Sequence, residues 1–129
     1  MDAGNVSDFP LGRFVGMTVE RTAPGTAIAS ASVGPSHHNP HGFVHGGVLF
    51  TLVDTSMGAA VMSMLPEGQR CSTIECQVRF LRPVTVADLT CVTTVTKPGR
   101  RVFHLESRVT TGEGILVATG TGSFAVIDL

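Results

Sequence analysis

Apolar positions along this chain follow two periods, and the switch between them divides it into elements. From His45 to Leu65 (HGGVLFTLVDTSMGAAVMSML) apolar residues crowd together with no proline until Pro66. That stretch predicts a helix of about five turns at 3.6 residues per turn. Elsewhere the period is two, which predicts strands. Phe14 to Arg21 and Thr26 to Val33 read as strands joined by an Ala-Pro-Gly turn. Ser72 to Leu81 alternates so that Ile74, Cys76, Val78 and Phe80 share one face. Val86 to Thr96, Arg101 to Thr110 and Ile115 to Ile127 complete the set, separated by Pro- and Gly-bearing turns. Gly34 to Phe43 is a loop, and residues 1–12 form a loosely held amino-terminal arm with one helical turn. Two strands, a long helix and four strands imply an α+β fold. Short turns favour antiparallel pairing, and a helix this apolar must be buried against the sheet.

Composition adds limits. With 129 residues the chain makes one domain spanning 1–129. Hydrophobic residues are 43% and charged residues only 15%, so the domain has apolar surface to hide in an oligomer. A net charge of −1 argues against nucleic acid as a partner. Three cysteines without a CxxC spacing predict reduced thiols that serve packing, and hence a cytoplasmic protein. The first residues lack the basic and apolar regions of a signal peptide. Val44 to Leu65 is long enough to cross a bilayer, but Asp54 and several hydroxyl residues interrupt it and no basic flanks border it. No membrane partner is expected.

The long helix carries the candidate chemistry. Gly46 and Gly47 stand in its first turn, where backbone N–H groups lack intrahelical partners. Without side chains an outside group can reach those donors, and the helix dipole adds positive potential. Such a place suits a carbonyl oxygen gaining charge. Asp54 is the one acid in the apolar run. Seven residues after Gly47, it falls within about 20° of the same face but roughly 10–12 Å along the axis. Reacting groups must come within about 3 Å. Two antiparallel copies of the helix across a two-fold axis would bring the glycines of one chain to Asp54 of the other, making a composite site in a dimer.

The run NPHGFVHGGVLFTLVD, followed by TIECQVRFLRPV, resembles the hotdog-fold acyl-CoA thioesterases of the PaaI (phenylacetate-pathway) type. The resemblance covers roughly Gly34 to Gly122. It implies a hotdog fold, a long helix wrapped by a curved antiparallel sheet, and hydrolysis of an aromatic or medium-chain acyl-CoA to acid and free CoA. By the same resemblance Asp54 is general base or nucleophile, and the Gly46 N–H polarises the thioester carbonyl. His45 shapes the turn, Asn39 orients water or thioester, and Thr73 (or Ser72) lies near the acid. Phe80 lies beside the pantetheine arm, while Lys97, Gly99, Arg100, Arg101 and Val102 form a segment that touches coenzyme A. The resemblance further implies dimers assembled into tetramers, with CoA part of the substrate and no separate cofactor.

Plainer readings stand beside these. Asp54 could be a surface acid, the glycines could serve close packing, and Asn39 could brace its loop. His45 reads as a loop-bracing hydrogen-bonder rather than a general base. His37, His38, His41 and His45 fit no zinc spacing, so no metal is expected. A second function class is a hotdog module that binds an acyl-CoA or nucleotide without turnover. A hotdog dehydratase is a third, and HGG followed by Asp54 fits it less well.

Overall fold

The computed structural model describes residues 8–129; of the amino-terminal arm, Met1 to Ser7 lie outside the described residues, and with them most of the reading against a signal peptide. The elements are α1 (Pro10–Val15), β1 (Met17–Ala23), β2 (Thr26–Val33), a 3-10 turn (Pro35–His37), α2 (Gly46–Met62), β3 (Gln69–Phe80), β4 (Ala87–Lys97), β5 (Val102–Thr111) and β6 (Leu116–Asp128). Six strands pair antiparallel in the order β1-β2-β4-β5-β6-β3, and α2 packs against all six. This is the α+β hotdog arrangement expected from the sequence.

The expected first strand is corrected at its start. Phe14 belongs to α1, not to a strand, and β1 begins at Met17. Pro10 opens that helix, and Gly16, at φ +82°, closes it in the left-handed conformation. Pro and Gly at those positions were a readable helix signal that the period-two reading passed over.

Helix α2 is capped by His45, whose extended backbone turns the chain and whose Nδ1 accepts the Gly47 N–H at 2.7 Å. At its other end the Ser63 hydroxyl donates to Ala60 O and accepts the Gly25 N–H, tying the helix to the β1–β2 turn. Leu49, Leu52, Val53, Met57, Ala60 and Val61 are buried between helix and sheet. Each large side chain there contributes roughly 1.5–3 kcal/mol by leaving water. The helix can lie this close because β6 is small where they meet. A Cβ on Gly120 would stand 2.8 Å from Val53 Cγ1, and one on Gly122 2.6 Å from Met57 Sδ. Buried hydroxyls are satisfied in a chain, Ser56 to Thr93 to Ser107, at 2.6 Å per step.

Strand β3 departs from simple alternation. Its register shifts between Thr73 and Glu75, so Ile74 is an extra residue in the ladder. Ile74 is therefore 58% exposed rather than sharing the inner face with Cys76 and Val78. The same shift puts Thr73 on the helix side with Cys71, where unbroken alternation would turn it outward. Phe80, the other end of the expected face, is half exposed.

Candidate active site

The site residues fall into two groups at opposite ends of β3. The first group surrounds the start of α2. Asn39 Oδ1 accepts the N–H groups of His41 and Phe43, at 2.9 and 3.2 Å, and thereby shapes the turn that delivers the chain to His45. Those two bonds fix the amide orientation, so Nδ2 is the group left to face outward. His45 spends Nδ1 on Gly47, as a loop brace. The Gly46 N–H has no partner among the described residues. It opens on a cavity of about 410 Å³ lined by Asn39, Gly46, Leu49, Phe80, Arg82 and Val84 among others. Phe80 lies over Gly46 so closely that a Cβ there would be 3.1 Å from Cζ.

The second group centres on Asp54, which is half-buried. Thr73 Oγ1 donates to Asp54 Oδ1 at 2.8 Å, leaving the other carboxylate oxygen for another partner. Ser72, the alternative to Thr73, alternates onto the outer face. Asp54 lines a separate cavity of about 490 Å³ with Thr55, Gly58, Met62 and Cys71, bordered by Arg21 and Arg70. The Cys71 thiol feels both burial and the Asp54 charge, each raising its pKa, with Arg21 opposing them. Burial, with Asp54 next, pushes Cys76 up to about 11.

The basic turn lies at the Asp54 end. Val102 is paired with Ala125 and Ala125 with Ser72, next to Thr73; Phe80 is paired with Ala118 at the far end. Lys97, Arg100, Arg101 and Val102 are exposed, and the three cations make no ion pair among the described residues. Gly99 is required by the turn itself, since a Cβ would sit 2.3 Å from Val102 O. Phe80 therefore does not meet the basic turn within one chain, and Gly46 and Asp54 open on different cavities. The histidines work separately: His37 Nε2 pairs with Val15 O and His38 Nε2 with Thr85 O. Among the described residues no cluster of three metal-ligating side chains forms, and no helix is long and apolar enough to cross a membrane.

Sequence reasoning missed Cys71, Gly58 and Arg82 as wall residues. Cys71 could have been found as the residue two before Thr73 on one strand face, and Gly58 as one helical turn beyond Asp54.

A curved antiparallel sheet wrapped on one long helix is the fold this chain shares with the proteins it resembles. Residues 41–118 match the thioesterase superfamily, and the chain belongs to that superfamily. A Halobacterium salinarum protein whose name assigns it provisionally as an esterase is 36% identical over 135 aligned positions, covering 94% of this chain and 87% of that one. Among solved structures, a Haemophilus influenzae thioesterase superposes with TM-score 0.88 at 24% identity, covering 95% of this chain and 85% of the other. PaaI of the Escherichia coli phenylacetic acid degradation operon gives 0.86 at 25% identity, covering 93% and 86%. The two fit equally well, so the resemblance holds at the level of the superfamily and not of the PaaI type alone. Thioester hydrolysis is the activity that membership supports.

Proposed function

We propose that the protein is an acyl-CoA thioesterase whose active sites form between two copies of the chain. The observation that carries this reading is the division of the site residues. Asn39, Gly46 and Phe80 stand at one end of β3, and Thr73, Asp54 and the basic turn at the other. From Thr73 to Phe80 is roughly 20 Å along a strand, far too long for one chain's groups to act together. Strand β3 is at the sheet edge, with no partner strand on its outer side among the described residues. Antiparallel pairing of that edge with its copy sets the Phe80 end of one chain against the Thr73 end of the other. Each of the two sites then has a donor half and an acid half.

In such a site the Gly46 N–H and the start of α2 take the thioester oxygen as it gains charge. Asp54, held by Thr73, either draws a proton from water attacking the carbonyl carbon or attacks that carbon itself. The C–S bond breaks, and the CoA thiolate leaves and takes up a proton; where Asp54 was the nucleophile, water then hydrolyses the acyl-aspartyl anhydride, releasing the acid and restoring the carboxylate. Asn39 Nδ2 is placed to orient the water or the thioester, while His45 keeps the turn in shape. Phe80 flanks the pantetheine arm, and Lys97, Arg100 and Arg101 give the phosphates cations, with Gly99 and Val102 forming the turn that presents them. CoA enters as part of the substrate.

The test is thiol release from a panel of acyl-CoAs by wild type and Asp54→Asn. A loss of roughly 10²–10⁴-fold is expected in the variant. Equal rates would remove Asp54 from the mechanism, and no release from any substrate would favour a binding module.

A further inference from the structure

Among the described residues, one glycine in α2 has no packing reason within its own chain. Gly58 sits in the helix interior, where glycine is a poor choice beside alanine. Its backbone does not have a positive φ. Among the described residues a Cβ there would meet only Phe124 Cε2, at an ordinary 3.7 Å. Gly120 and Gly122 differ sharply, since a side chain on either collides with the helix. Gly58 is one turn past Asp54, so both open on the same side of α2, and both line the cavity of about 490 Å³. Cys71, whose thiol reaches toward Gly58 O at 3.7 Å, forms the facing wall.

Resting on the thioesterase reading, we propose that Gly58 is the specificity-determining position. Its missing side chain is the space in which the acyl group lies once the carbonyl is beside Asp54. One helical turn is about 5.4 Å, roughly the reach of a four-carbon chain or of the ring of an arylacetyl group. The acyl groups that use this space are therefore those that extend about four carbons or a ring past the carbonyl, while an acetyl group stops short of it.

Gly58→Ala and Gly58→Val separate this role from a structural one. A spare glycine predicts a thermal midpoint for Gly58→Ala at or a few degrees above wild type; a clear drop would show that the fold needs the glycine. In turnover, the kcat/KM ratio of phenylacetyl-CoA to acetyl-CoA falls at least tenfold in Gly58→Val and less in Gly58→Ala. An unchanged ratio places the acyl group elsewhere and overturns the proposal. Calorimetric binding of the same two thioesters to Asp54→Asn, with and without Gly58→Val, reads the effect without catalysis. A tenfold selective weakening for phenylacetyl-CoA supports the acyl cavity even if wild type hydrolyses nothing, an outcome that sinks only the thioesterase reading. Equal weakening of both ligands, or no phenylacetyl-CoA binding at millimolar concentration, sinks the cavity assignment.

Discussion

In the proposed mechanism the group that acts at the start of α2 is a backbone N–H, whereas part-way along the same helix it is a side chain. The first is produced by local chain geometry: an Asn39-braced turn, a capping histidine and a glycine in the first turn. The second depends on a strand far away in sequence, since Thr73 reaches Asp54 only because β3 shifts register beside it. Donor ends built from backbone have no side chain to delete, while acid ends built from side chains can be dismantled atom by atom. Experiments that break one end without the other therefore test whether they form one site.

After Asp54→Asn, the largest effect comes from removing the donor. Gly46→Pro deletes a single N–H at the first helical position, where proline is tolerated. His45, at φ −60° and ψ 133°, already has the extended backbone that precedes proline. We expect kcat to fall about 10²–10³-fold with the fold intact. Gly46→Ala keeps the donor and displaces only the Phe80 ring, so it should retain most activity. When Gly46→Pro and Asp54→Asn chains are unfolded and refolded together, half-sites recombine. A two-fold dimer then recovers about a quarter of wild-type activity, because half the dimers have one intact site. Recovery no greater than the sum of the parents would mean that each chain acts alone.

A smaller effect comes from the residue that holds the acid. Thr73→Val preserves shape and removes the hydroxyl that holds Asp54. A hydrogen bond to a charged group contributes about 1.5–3 kcal/mol, so kcat should fall roughly 10–100-fold with KM little changed. Thr73→Ser restores the donor and should restore most of the rate. If Ser and Val behave alike, the hydroxyl does not position the carboxylate.

The same contrast explains what was legible in the sequence. The helix, the six strands and their antiparallel pairing followed from period and turn residues, though the strand order did not, and the opening HGG announced the donor end. Asp54 stood out as an acid in an apolar run. The surroundings of Asp54 were harder to read. The bulge at Ile74 has no mark in STIECQVRF, so period two placed Cys76 and Val78 correctly but put Ile74 on the inner face in place of Thr73. The start expected at Phe14 for the first strand was wrong for a related reason: the cap signals at Pro10 and Gly16 outweighed alternation. Gly58 reads as a weak point in a helix until the space around it is known.

The smallest effect belongs to the thiols, which lie on the acid side of this comparison. Cys76, beside Met57 on the inner face of β3, has a pKa raised from 9.0 to about 11, by burial first and then by the Asp54 charge. Cys71 and Cys91 are raised as well, both chiefly by burial. Between pH 9 and about 11 the unfolded chain releases the Cys76 proton while the folded chain keeps it. The unfolded state then binds fewer protons, so stability is fully present below pH 9 and declines as pH rises through that window. The window is clean because the chain has no Tyr and a single lysine, the exposed Lys97. Urea midpoints measured from pH 8 to pH 11 should fall, and Cys76→Ala should flatten the decline. A midpoint that holds steady to pH 11 would mean that these thiols are wetter than the packing between β3 and α2 implies. The carboxylate beside them would then lie in open solvent, and the acid half would lose the enclosure that sets it apart from the donor half.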